Sequence, residues 1–235
     1  MRNSTVRKPL VAVDVFSGAG GLTLGLKRAG FNVAAAVEIE GHAFATYKTN
    51  HPEVRAIKQD VRTVEGRHLR ELAGGKVDLL AGCPPCQGFS TLTNTSTKRD
   101  RRNGLVLEMA RLIEEIQPKT IMMENVPGLG GRGKWLFSRL LNTLTRLNYS
   151  YTWDVLQVAD YGIPQNRRRL VLIAGKGFEP ELPEPTHNRT GAGGLRKWKT
   201  LRDAIGGMEQ PMLLEDADKG DRSGITGMWC AASPP

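Results

Sequence analysis

The stretch Leu10-Val11-Ala12-Val13-Asp14-Val15-Phe16-Ser17-Gly18-Ala19-Gly20-Gly21-Leu22 decides the fold. Leu10 to Phe16 is a run of β-formers, Ser17 to Gly21 is a glycine turn, and Leu22, Leu24, Leu26 and Ala29 mark a helix. Strand, glycine turn, helix opens a nucleotide-binding α/β unit, and glycines let the backbone pass close to a ligand. The dinucleotide fingerprint fails because its third glycine position is Thr23. No Lys-Ser or Lys-Thr follows a glycine loop, which excludes a P-loop. A tight structural turn is the commoner meaning of such glycines, so the neighbouring strands must decide.

Working outward, a second strand over Asn32 to Val37 ends at Glu38, and a third around Ala56 to Gln59 ends at Asp60. An acid at the tip of the second strand can accept from ribose hydroxyls. Asp60 is placed to accept from an adenine amino group. Glu38 also has a plainer meaning, since Glu40 to Asn50 looks helical and acids favour that end. Three consecutive strand ends carrying glycine loop, Glu and Asp imply an adenosine that needs no phosphate cradle. S-adenosylmethionine fits.

A further apolar run, Val77 to Ala81, reads as a buried strand closing on Gly82-Cys83-Pro84-Pro85-Cys86-Gln87-Gly88-Phe89-Ser90. Each proline lacks a backbone donor, so the turn continues neither as strand nor into a helix interior. This sets the Cys86 thiol at the carboxyl end of a strand, where open α/β sheets place chemistry. A lone cysteine there would more simply be structural. Cys83 and Cys86 also form a Cys-x-x-Cys pair, but the redox motif opens a helix and Cys-Gln-Gly does not. The four histidines show no zinc-ligand spacing to these thiols, so no metal is expected.

Hydrophobic residues make up 40% and charged residues 24% of 235, as in a soluble globular protein with one sizeable core. Lys and Arg number 33 against 24 acids, a formal +9 that suits a polyanion partner. Three cysteines argue against a disulfide scaffold and for a reducing compartment, so the expected setting is cytoplasmic. No apolar run approaches membrane-spanning length, so no membrane partner is expected.

Four ordered motifs resemble those of the DNA (cytosine-5)-methyltransferases. They are Asp14 to Leu22, Pro84 to Ser90, Glu124-Asn125-Val126-Pro127-Gly128 and Gln165-Asn166-Arg167-Arg168-Arg169. The resemblance covers Leu10 to Ala174, with a fainter echo in Thr200 to Met208. It implies a Rossmann-like α/β fold, a mixed sheet with helices on both faces, and S-adenosylmethionine as cofactor. It also implies DNA as partner and methyl transfer to carbon 5 of a flipped cytosine through a covalent Cys86 adduct. By resemblance Glu124 is the acid beside the ring N3, Arg167 contacts the base and Arg169 supports Glu124. The cofactor set is Phe16, Gly18, Gly20, Gly21, Leu22, Glu38, Ile39, Asp60, Val61, Pro85 and Leu105. Thr91 to Arg102, polar and cationic, reads as a loop closing over the flipped base. Asn103 to Gln117 reads as an amphipathic helix. Tyr149 to Ala159 and Arg168 to Ala174 read as an antiparallel hairpin.

Residues 1–9 read as a frayed terminus, 10–174 as the catalytic domain, and 175–235 as a Pro/Gly-rich linker leading into an incomplete target-recognition region. Arg196 to Met208 is a short basic helix candidate. Neither the recognition lobe nor the last cofactor-pocket segment of the family is visible there. The expectation is therefore a split enzyme completed by a second polypeptide, or a truncated copy. Two other readings stand beside it. A tRNA cytosine methyltransferase is disfavoured by the missing Cys-Phe-Thr signature, and an inert DNA-binding remnant is disfavoured by the intact Cys86, Glu124 and Arg167.

Overall fold

The computed structural model describes residues 9–85 and 104–207. The chain divides into two compact units, Met1–Lys199 and Thr200–Pro235. In the first unit, β1 (Val11–Val15), β2 (Asn32–Glu38), β3 (Arg55–Lys58), β4 (Leu79–Gly82), β5 (Thr120–Asn125), β6 (Tyr149–Gln157) and β7 (Arg168–Lys176) form one sheet in the order β3-β2-β1-β4-β5-β7-β6. β1 to β5 run parallel, and β7 runs antiparallel to both β5 and β6. The order reverses direction between β1 and β4, the switch point at which such sheets open a crevice.

Residues alternate between the two faces of each strand, and the burial follows that alternation. Val13 and Val15 of β1, Ile121 and Met123 of β5, and Leu170, Leu172 and Ala174 of β7 share one core. α4 (Leu105–Ile116) and α5 (Lys134–Arg146) fill it through Met109, Leu112, Phe137 and Leu140, and α3 (Gly66–Leu72) adds Leu69. On the other face, Ala12, Ala36 and Ala81 pack with Leu26 of α1 (Gly21–Arg28) and Tyr47 of α2 (Gly41–Asn50). Helices thus cover both faces, as the sequence implies. Burying a Leu or Met side chain contributes about 2 kcal/mol, so these two layers supply most of the drive to fold.

β6 and β7 pair along their whole length, from Tyr149 against Lys176 to Gln157 against Arg168. The predicted hairpin is present. β7 begins at Arg168, so Arg167 lies just outside it, its N–H donating to Gln157 Oε1 at 2.9 Å. From Lys176 the chain runs without helix or strand to Thr186, whose N–H donates to Asp160 O at 2.9 Å. Tyr161 Oη donates to Pro183 O (2.9 Å) and Trp198 Nε1 to Asp160 Oδ1 (2.8 Å), which tie this strap to the far end of the hairpin.

The predicted helix over Arg196 to Met208 is not formed as one element. Arg196–Lys197 is the short strand β9, paired with β8 (His187–Asn188). In the second unit α6 is confined to Leu201–Ile205, started by a Thr200–Asp203 capping box.

Candidate active site

A cleft of about 400 Å³ opens at the carboxyl ends of β1, β2 and β4. Phe16 stands at its mouth with φ 62°, a left-handed conformation rare for an aromatic residue. That turn lets the Gly18 N–H reach Glu38 Oε2 at 2.8 Å, while Glu38 Oε1 accepts from the Glu40 N–H at 2.7 Å. Both oxygens keep a second lone pair for a hydroxyl. Ile39, Val61 and Leu105 supply apolar walls, and Ile39 is 59% exposed there, an apolar surface left uncovered by the described residues. Asp60 also lines the cleft, but its oxygens already accept from the Arg62 N–H (3.0 Å) and Arg62 Nη1 (2.9 Å).

Pro85 and Cys83 close the cleft on the β4 side. Burial pushes the Cys83 thiol well above its usual range, and the neighbouring Glu124 charge adds to the effect. Glu124, near the end of β5, pairs with Arg169 of β7, Nε to Oε1 at 2.7 Å. The next residue, Asn125, is buried and donates from Nδ2 to Pro84 O at 2.9 Å, while its Oδ1 accepts the Val126 N–H at 2.8 Å. One side chain thereby ties the Pro-Pro turn to the strand carrying Glu124. Arg167 is exposed, and its guanidinium has no partner among the described residues. Cys86 and the loop Thr91 to Arg102 lie outside the described residues.

Not every residue of the predicted cofactor set lines this cleft. Gly20 (φ 98°) faces away, and a Cβ there would sit 2.4 Å from the His51 ring. Gly21 starts α1, and Leu22 packs with the core on the α1–α2 face. The turn into α1 rotates these positions behind the loop. Conversely, Val37, Gln59 and Arg62 line the cleft without belonging to any motif, and Cys83 lines it from the Cys-x-x-Cys pair. Their common signal is adjacency to a strand tip.

Beneath the loop runs a buried polar chain. Thr23 Oγ1 donates to Asp14 Oδ2 (2.7 Å), so Tyr47 Oη, 2.8 Å away, donates to Thr23. His51 Nε2 donates to Gly20 O (3.0 Å), leaving Nδ1 to accept from Lys27 Nζ (3.3 Å). Asp14 is 0% exposed and its Oδ1 has no hydrogen-bond partner among the described residues. Burial raises its pKa to about 7, against the Thr23 hydrogen bonds and with a contribution from Glu38.

The strand order and the reversed β7 are those of the Rossmann-like methyltransferase fold. A structure given as a DNA modification methyltransferase encoded within an Escherichia coli prophage superposes with TM-score 0.68 at 30% identity, covering 86% of this chain and 56% of that one. Spodoptera frugiperda DNMT2 shares the fold, with TM-score 0.60 at 23% identity, covering 75% of this chain and 54% of that one.

The model of the C-5 cytosine-specific DNA methylases matches residues 10–212, and the chain belongs to that family. The type II methyltransferase M1.HphI of Haemophilus parahaemolyticus is 40% identical over 203 residues, 84% of this chain and 52% of that protein. M.AquIA of Picosynechococcus sp. is 33% identical over 216 residues, 82% of this chain and 86% of that protein. The chain spans about half the length of several curated relatives, including 46% of M.XorII from Xanthomonas oryzae.

Proposed function

We propose that this chain is the catalytic part of a DNA cytosine-5 methyltransferase, acting on a cytosine swung out of the duplex. The observation that carries the reading is the Glu124–Arg169 pair, 2.7 Å apart, joined through Asn125 to the turn that leads to Cys86. A carboxyl group, a guanidinium and a thiol-bearing loop on adjoining strand ends are what attack on a pyrimidine ring needs.

The Cys86 thiolate adds to carbon 6, forming a C–S bond as the ring's electron pair moves toward N3. Glu124, in its carboxylic acid form, gives its proton to N3, and Arg169 offsets the negative charge left on the carboxylate. Carbon 5 becomes enamine-like. S-adenosylmethionine, when bound, supplies the electrophilic methyl group that carbon 5 accepts. Water then takes the carbon-5 proton, the C–S bond breaks to return the thiolate, and N3 returns its proton to Glu124. Arg167 contacts the target base.

Glu38, Asp60, Ile39, Val61, Phe16, Pro85 and Leu105 would hold the cofactor. The fit is chemical: an apolar slot with Ile39 exposed for an adenine face, and Glu38 with free lone pairs for ribose hydroxyls. We further propose that a target-recognition lobe and the remaining cofactor-pocket segment lie outside residues 10–212, since M1.HphI is matched over 52% of its extent.

Trapping on DNA containing 5-fluorocytosine tests the chemistry, because the fluorine blocks loss from carbon 5 and leaves the thiol attached. Wild type and Cys83→Ala should form the adduct with the cofactor present, and Cys86→Ala should not. An adduct that survives Cys86→Ala sinks the assignment. Robust multiple turnover by residues 1–235 alone would remove the need for those parts.

A further inference from the structure

We propose that the opposite end of the sheet is a binding site for single-stranded nucleic acid, with Phe178 as a stacking platform beside a cationic groove. Two grooves meet there at Lys119 and Lys176. One, of about 400 Å³, also carries Arg70 and Lys76 and has no carboxylate on its walls among the described residues. The other, of about 600 Å³, holds Leu10, Phe31 and Phe178.

The platform is built rather than incidental. A Cβ on Gly175 would lie 2.4–2.7 Å from three carbons of the Phe178 ring, so the ring rests directly on bare strand backbone. Gly177, at φ 81°, makes the turn that folds it back. Glu179 anchors the following residue by accepting from Ser150 Oγ at 2.7 Å. With one face against the strand, Phe178 remains 42% exposed.

Two of the cations, Lys176 and Lys76, are likewise held in place. Lys176 Nζ donates to Gln117 Oε1 (2.7 Å) and lies 5.2 Å from the centre of the Tyr149 ring, while its N–H donates to Lys119 O (3.0 Å). Asp78, the carboxylate lining the second groove, is engaged by Lys76 (2.7 Å) and the Val11 N–H (2.9 Å). Lys119 adds only its field at Asp78, and neither it nor Arg70 forms a salt bridge among the described residues. Four cations against one carboxylate leave a net positive surface next to an exposed ring.

Phosphates satisfy the cations, and an unpaired base satisfies the ring. An intact duplex keeps its base faces stacked inside the helix, so it cannot use Phe178. That chemistry selects a single strand. The site is separate from the catalytic one: Arg169 and Lys176 sit toward opposite ends of β7, about 24 Å apart at strand rise. The inference therefore does not rest on the reaction proposed above.

Fluorescence anisotropy of the full chain with a short labelled oligothymidine, and with a duplex of equal length, tests this. Phe178→Ala should weaken oligothymidine binding about tenfold, the loss expected for one base stack. Phe178→Tyr should keep it, which separates lost stacking from a damaged fold. Lys119→Glu should lower the slope of log affinity against log salt by about 0.7 for each phosphate contact removed. Adduct trapping on 5-fluorocytosine duplex should not change with any of these variants. Oligothymidine binding that is absent, or unaffected by Phe178→Ala, overturns the proposal. So does an equal loss for single strand and duplex, which would mark a general basic surface.

Discussion

Replacing Asp14 by asparagine turns a buried acid into a neutral residue of the same shape, and its effect on stability should depend on pH. In the folded protein the carboxyl titrates near 7 against an ordinary 3.8, chiefly because burial disfavours the charged form. Between those values the folded state holds a proton that the unfolded chain has released. The contribution of Asp14 is therefore fully present below pH 4 and is lost as pH rises through 7. At about 1.4 kcal/mol for each tenfold step, the whole change is about 4 kcal/mol. Asp14→Asn should remove that slope while its side-chain oxygen still accepts from Thr23. Urea unfolding of both proteins at pH 4.5, 6 and 8 measures the difference directly. Relative to wild type, the variant should gain roughly 1–2 M in midpoint between the lowest and highest pH, for a slope of about 2–3 kcal/mol per molar. Midpoints that stay parallel across the range would refute the argument and place the proton elsewhere.

Gly82→Ala should cost about 2–3 kcal/mol in urea or thermal unfolding. Its Cβ would sit 2.8 Å from Val15 Cγ2 and 2.9 Å from Val15 O, and the backbone oxygen cannot swing aside. A cost under about 0.5 kcal/mol would mean that β1 and β4 separate easily at the switch point. Asn125→Ala should cost about 2 kcal/mol by leaving the Pro84 carbonyl unpaired. It should also slow 5-fluorocytosine trapping by tenfold or more, since the turn before Cys86 loses its tether; an unchanged trapping rate would show that Asn125 does not position the loop.

Much of the architecture is legible in the chain because the strands are short, mostly apolar runs ending near glycines or acids. β1, β2 and β4 lie where Leu10 to Phe16, Asn32 to Val37 and Val77 to Ala81 place them, within a residue or two. The strand order is not legible, because a crossover helix of given length serves more than one pairing. α5 escapes a motif-led reading since no motif lies in it, although Leu136, Leu140 and Leu144 recur every four residues and are fully buried. Within the site, motif membership and orientation diverge. Gly20 and Leu22 sit inside the motif yet turn behind the loop, whereas Val37 and Gln59 face the cleft from outside any motif. Period-two spacing puts Arg167 and Arg169 on one face but does not say where pairing starts. The ladder begins at Arg168, so Arg169 is fixed against Glu124 and Arg167 is left exposed.

The reversal of β7 sets a metric demand on the segment after it. The strand ends at Lys176, the wrong end of the sheet for chemistry, and the chain must regain the full height of the hairpin to meet Asp160 at Thr186. Eight steps of strand descend about 27 Å. Ten residues of helix would recover only about 15 Å, whereas ten in the polyproline conformation recover about 31 Å. Pro180, Pro183 and Pro185 fall in this segment. They serve as a ruler: a spacer whose stiffness sets its reach, so that shortening it by a turn would drag the next segment off its anchor.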